Sequence, residues 1–280
     1  MRGSASLLAF LAITGMSILT VNAQVVNLSP LGNGLYNTGV QSDDVTLIPG
    51  DPTGVNNPTD SHYKEIYYIN GTAVSAAPPA TYTPGYYGAP TTTGQAFVAS
   101  PAASSALPGE SWVPIANTTF PVTNGSSQWI TYQADMGTAS SSSGTVFQTP
   151  DTAVTVYQLV LTNIPAGDLV TLGGAVASDD NVTIYGNGME LFSNYNITDN
   201  GTNNQTSYNQ LTALSGLTFQ SGTSNTLDFV VVNSGGFPTG LDVQLVGTYA
   251  AVPEPSTYAM LLGSLALLVF WRLRASRNHI

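Results

Sequence analysis

The clearest signal along the chain is a two-residue alternation of apolar and polar positions. In residues 241–249, Leu241, Val243, Leu245 and Tyr249 fall on one face while Asp242, Gln244 and Thr248 fall on the other. That pattern predicts a half-buried strand. Residues 154–161 and 226–232 are apolar on both faces and predict central strands of a sandwich. Weaker strand patterns cover 128–133, 169–176, 181–185 and 189–192, and turn chemistry separates them at 163–168, Ser178-Asp179-Asp180, Gly186-Asn187-Gly188 and 233–238. No helical period is sustained from residue 24 to residue 251, so this stretch reads as one all-β domain. Within it, 82–108 holds Pro84, Pro90, Pro101 and Pro108 among small residues. It reads as a long surface loop rather than a linker, because the part before it holds too few strong strands to bury a core alone. Residues 138–145, Thr-Ala-Ser-Ser-Ser-Ser-Gly-Thr, read as a flexible loop.

Both ends depart from this pattern. Residues 1–23 begin with Arg2, continue through an apolar run and finish Val21-Asn22-Ala23. This predicts a signal peptide that signal peptidase removes between Ala23 and Gln24. At the other end, 252–257 reads Val252-Pro253-Glu254-Pro255-Ser256-Thr257, 258–271 is apolar, and 272–280 carries Arg272, Arg274 and Arg277. The two prolines predict an extended, non-helical hexamer that an enzyme groove can accept. A helix over 258–271 would be about 21 Å long, a marginal transmembrane span against a hydrocarbon core of ~30 Å. The three arginines would hold its far end in the cytoplasm, with everything between the two apolar segments outside.

Charge narrows the choice of partners. The chain has 280 residues, 5 Lys+Arg against 16 Asp+Glu, a net charge of −11 and no cysteine. Disulfides, zinc–thiolate sites and thiol nucleophiles are excluded. Between residues 24 and 252 Lys64 is the single basic residue, so a phosphate-neutralising nucleic-acid surface is excluded too.

The order Val-Pro-Glu-Pro-Ser, apolar helix, arginine cluster resembles the PEP-CTERM sorting signal, whose tail is also called the ice-binding protein C-terminal domain. The resemblance implies an exported protein of an exopolysaccharide-producing Gram-negative bacterium. In that family an exosortase of the inner membrane cuts at the Pro-Glu-Pro and releases or transfers the protein to the cell surface. It implies no ice binding here. A second resemblance concerns the body. The ordered blocks 35–40 (Leu-Tyr-Asn-Thr-Gly-Val), 60–63 (Asp-Ser-His-Tyr), 111–113 with 128–130 (Ser-Trp-Val and Gln-Trp-Ile), 178–183 and 225–236 look like those of PEP-CTERM proteins with a galactose-binding-like jelly roll. The fold this implies is a single jelly-roll-like β-sandwich between the signal peptide and a C-terminal transmembrane sorting helix. The chain departs from those proteins in 82–108 and in the Asn-rich stretch 194–209, so loop-borne specificity does not carry over.

Candidate chemistry is sparse. The histidines are His62 and His279, and no Gly-x-Ser-x-Gly elbow accompanies them, so His62 reads as a hydrogen-bonding residue of the fold. Asp179, Asp180 and Glu190 could supply the two carboxylates of a glycosidase, but adjacent strand residues point to opposite faces. Oxygen ligands for a structural calcium could come from Asp43, Asp44, Asp60, Asp179, Asp180 and Asn181, without an Asp-x-Asp-x-Asp-Gly loop. Tyr86, Tyr87 and Trp112 are candidate platforms for sugar rings, with Tyr82 beside them, while Trp129 reads as core. The reading is a non-catalytic cell-surface or extracellular-matrix protein associated with exopolysaccharide or biofilm. Its partners are signal peptidase, exosortase and the membrane before processing, with no nucleic acid and no cofactor beyond that calcium. A surface polysaccharide hydrolase and a passive surface-layer or spacer protein are the alternatives.

Overall fold

A computed structural model describes residues 24–49, 58–70, 78–86, 94–98, 127–132, 153–194, 211–233, 240–251 and 255–277. The signal-peptide reading of 1–23, the flexible loop 138–145, His279 and the motif residues Val252, Pro253 and Glu254 lie outside them, as does all of the Asn-rich stretch beyond Asn194. The chain divides into two units, Val26–Ala250 and a second containing Ala251–Ile280.

Among its described residues the first unit forms an 11-stranded sheet. In chain order its strands are β1 (Val25–Asn27), β2 (Thr59–Asn70), β3 (Gly94–Val98), β4 (Ile130–Thr131), β5 (Ala153–Leu161), β6 (Leu169–Asp179), β7 (Asn181–Gly186), β8 (Met189–Ser193), β9 (Thr212–Gln220), β10 (Asn225–Asn233) and β11 (Gly240–Ala250). They lie side by side as β8-β7-β10-β5-β2-β3-β4-β11-β6-β9, with β1 also on β11. The neighbours along this path pair antiparallel. The strands therefore form one continuous sheet, nearly closed on itself, and its two halves share a single core. Tyr63, Tyr157, Ile184 and Phe229 enter that core from one half, and Val170, Leu172, Val243 and Leu245 enter it from the other.

The two strands expected at the centre are neighbours, in register from Asn225↔Leu161 to Asn233↔Ala153. Their two apolar faces have separate uses. Leu227, Phe229 and Val231 face the main core, whereas Val230 and Val232 join Val154, Val156, Tyr82 and Tyr185 in a second cluster. Residues 78–86 run along the outer edge of β8, where Tyr82 N–H donates to Gly188 O (2.8 Å) and the Tyr185 hydroxyl donates to Pro79 O (2.7 Å). An open sheet edge is thereby paired.

The turn expected at Ser178-Asp179-Asp180 does separate two strands, with a bend at Asp180. It is the corner at which the chain leaves β6, paired with β11 and β9, and enters β7, paired with β10 and β8. Two expectations need correction. The segment 82–108 contains β3, whose Ala96 and Val98 are fully buried on one face while Gln95 on the other is exposed. Lastly, the second unit holds a helix over Pro255–Arg277, so Pro255, Ser256 and Thr257 are helical rather than extended. Proline is tolerated in the first turn of a helix, where its missing N–H has no partner to lose. With α1 denoting the short turn Pro30–Asn33, this helix is α2. Its 23 residues measure about 34 Å. Among the described residues no helix is long and apolar enough to cross a membrane. Leu267, Leu268, Val269, Phe270 and Trp271 are all exposed, and at about 100° per residue they cover every side of the axis.

Candidate functional site

Three of the sequence blocks meet in space. The carboxylate of Asp60, fully buried at the start of β2, accepts three backbone N–H groups: Gly39 (2.7 Å), His62 (2.7 Å) and Tyr63 (3.2 Å). Gly39 O accepts from Gln128 Nε2, which also donates to Ile48 O (2.7 Å). The Tyr63 hydroxyl donates to Tyr36 O (2.8 Å), and the Tyr36 ring stacks on His62 at 3.6 Å and 8°. Thr38 ties this knot to β11: its N–H donates to Val243 O (3.0 Å), its Oγ1 accepts from Val243 N–H (3.0 Å), and the same hydroxyl reaches Asp242 (3.4 Å).

Burial pushes the Asp60 carboxyl up, opposed by its three N–H donors. It pushes Asp242 up to about 6 against the hydroxyls of Ser127 and Thr38. The Tyr63 phenol is raised well above its ordinary range by burial and by the charges of Asp60, Asp44 and Asp242. Burial lowers His62 and outweighs the pull of Asp60, which leaves the ring neutral at pH 7.

Beside the knot lies a cleft of about 830 Å³. Leu28, Leu172 and Leu245 give it an apolar floor, and the loop Asp43-Asp44-Val45 forms one rim. The floor needs bare backbone at Gly247, where a Cβ would come within 2.7 Å of Leu172 and 2.8 Å of Leu28. Asp43 is fixed by Thr46 Oγ1 (2.5 Å) and by the N–H groups of Thr46 (2.8 Å) and Val45 (3.0 Å), which hold its carboxyl below the usual range. Asp44, half-buried, is pushed up to about 6 by burial, with the Asn37 N–H opposing and the charge of Asp43 adding to the shift. Two neighbouring carboxylates lining a cleft can take a positive charge or several hydroxyl groups.

The residues singled out from sequence are dispersed. Asp43 sits on the cleft rim, but Asp179 ends β6, five residues or about 17 Å beyond the cleft residue Gly174, and the described residues do not bring Asp43, Asp179 and Asp180 together as a metal-holding group. Among the described residues no group of three His, Cys, Asp or Glu is placed to hold a metal ion. Tyr86 is 48% exposed in the turn after Thr83, while Tyr82 is buried against Tyr185. Tyr87 and Trp112 lie outside the described residues, and Trp129 is fully buried. Gln24 is exposed and Ala23 lies outside the described residues; Arg272 and Arg274 are exposed on α2, which also contains Arg277. Asn37, Thr38, Gln128 and Asp242 were not legible as a group from sequence. The one available signal was the polar face of β11, which is buried rather than solvated.

Comparison with known proteins identifies the tail. Residues 251–275 match a family described as the PEP-CTERM protein-sorting motif, which implies an exported protein processed by an exosortase. Comparison with curated proteins finds no match. Among solved structures, the chain is similar to a PA14 sugar-binding domain from RTX adhesin, with 19% identity and a TM-score of 0.23. The likeness covers 35% of this chain and 47% of that one, less than half of its length.

Proposed function

We propose that the chain is an exported surface protein that works without catalysis by associating with exopolysaccharide, its body related to the galactose-binding-like jelly rolls. Signal peptidase cuts between Ala23 and Gln24. The precursor is anchored at the inner membrane through its sorting tail, with Arg272, Arg274 and Arg277 on the cytoplasmic side, until an exosortase acts at the motif Val252, Pro253, Glu254, Pro255 and Ser256. The observation that carries this reading is the sorting-motif match over residues 251–275. The all-round apolar surface at 267–271 supports the membrane stage, since such a helix is otherwise found buried. The state of His62 supports a non-catalytic role: its ring is committed to Tyr36, and Asp60 binds its backbone N–H.

Fractionating the host tests this reading. Full-length protein should reach the surface fraction and be retained on a gel of the host's exopolysaccharide, whereas a chain ending at Ala251 should be exported but lost to the medium. Identical distribution of the two would contradict exosortase sorting, and full-length protein that passes straight through the gel would contradict the polysaccharide role.

A further inference from the structure

We propose that the cleft between residues 43–45 and strands β6, β9 and β11 binds a cationic aminoglycan, a hexosamine polymer with free ammonium groups. This deepens the polysaccharide reading above and rests on it. The cleft falls within the ~300–1,000 Å³ typical of ligand pockets, and its chemistry is two-sided. Of its apolar lining, Pro30, Val45 and Val246 are the accessible side chains for the C–H face of a sugar ring, and Thr171, Ser215 and Thr248 offer hydroxyls. Asp43 and Asp44 stand together on the rim, and no Lys, Arg or His lines the cleft among the described residues.

Charge decides among the glycans that could fit. A uronic-acid polymer would meet two carboxylates here and the −11 of the whole chain. A neutral glycan would find its hydroxyl partners but would leave the repulsion between Asp43 and Asp44 in place. An ammonium group beside them offsets that repulsion and returns a counter-charge to the half-buried Asp44. The burial and like-charge push on Asp44 means that it carries a proton for part of the time near pH 6. Binding a cation therefore releases a proton there. A calcium ion is a poorer occupant, because it takes six to eight oxygen ligands and no third carboxylate joins the pair among the described residues.

The test is calorimetric titration of the full-length protein at about pH 6.5 with a glucosamine oligomer, with its fully N-acetylated form and with an oligouronate. The glucosamine oligomer should bind at least tenfold more tightly than either of the others, with proton release seen as a dependence of the heat on buffer. D44N should weaken it at least tenfold, whereas E190Q, which removes the same charge from an exposed position on β8, should leave it unchanged. Equal affinity for the N-acetylated oligomer would overturn the proposal, as would an E190Q loss equal to that of D44N. Wild-type retention of D44N on the host's exopolysaccharide overturns the cleft assignment and leaves the polysaccharide role intact. Conversely, protein that binds the glucosamine oligomer but passes through the host's exopolysaccharide contradicts the role and not the cleft.

Discussion

The backbone N–H of Asn37 donates to Asp44 Oδ1 at 2.8 Å, while the Oδ1 of Asn37 accepts the N–H of Leu245 at 2.8 Å. One buried residue, through its backbone N–H and its side-chain oxygen, thus ties the acidic rim of the cleft to a strand 208 positions away in sequence. Asn37→Ala should leave the Leu245 N–H buried without its acceptor and cost about 1–3 kcal/mol. Chemical denaturation measures this, and a loss below about 0.5 kcal/mol would show that the bond does not hold the two walls together.

Asp60 supports three N–H groups from two segments, so its substitutions should separate by chemistry. Asp60→Ala strands all three donors in a buried place and should cost several kcal/mol, comparable to the whole stability of a domain. Asp60→Asn keeps an oxygen for His62 and Tyr63 but turns an amide N–H₂ toward the Gly39 N–H, and should cost about 1–3 kcal/mol. Thermal unfolding of the two variants checks the order. Equal losses would mean that the carboxylate oxygens do not act separately.

Gly39 has φ of +66°, a region that side chains rarely adopt, and a Cβ there would run into the Cγ of Gln128. Gly39→Ala should therefore destabilise the domain by more than about 2 kcal/mol, from backbone strain and displacement of Gln128 together. An unfolding midpoint equal to wild type would contradict the position of Gln128 in the knot.

The pH dependence has a definite sign. Asp44 and Asp242 have carboxyls near 6 in the folded protein against an ordinary value of 3.8, and Asp60 is raised as well. The folded state holds protons that the unfolded chain has already lost. The stabilisation is thus complete below 3.8 and disappears as pH rises through about 6. For fully buried Asp242, the rise from 3.8 to about 6 corresponds to about 3 kcal/mol. Asp43, whose carboxyl is held below its ordinary value, acts only in more acid solution and leaves this window untouched. The melting temperature should fall between pH 4.5 and pH 7.5, and Asp242→Asn should flatten much of that fall. A melting temperature that climbs over the same range would refute the burial of these carboxyls.

Strands β5, β10 and β11 were legible in the sequence because each alternates cleanly or is apolar on both faces, and the structure uses both kinds of face. Strand β2 was not, since Asp60, His62, Lys64 and Glu65 break its apolar pattern, and Asp60 is buried where it binds the N–H of Gly39. Strand β9 was hidden by an irregularity opposite Leu172 and Gly174, which shifts the phase of its alternation. For the same reason the polar face of β11 looked solvent-facing: Asp242 and Gln244 are covered by residues 38 and 127, which lie far from them in sequence. Local pattern reveals which face is apolar, but not what covers the other.

The central claim is that both ends of the chain are processed on the way to the surface. The intact mass of the protein recovered from its own host tests it most directly. The mass should correspond to a chain that begins at Gln24 and ends between Pro253 and Pro255. A mass that retains both residues 1–23 and the complete tail through Ile280 would contradict it.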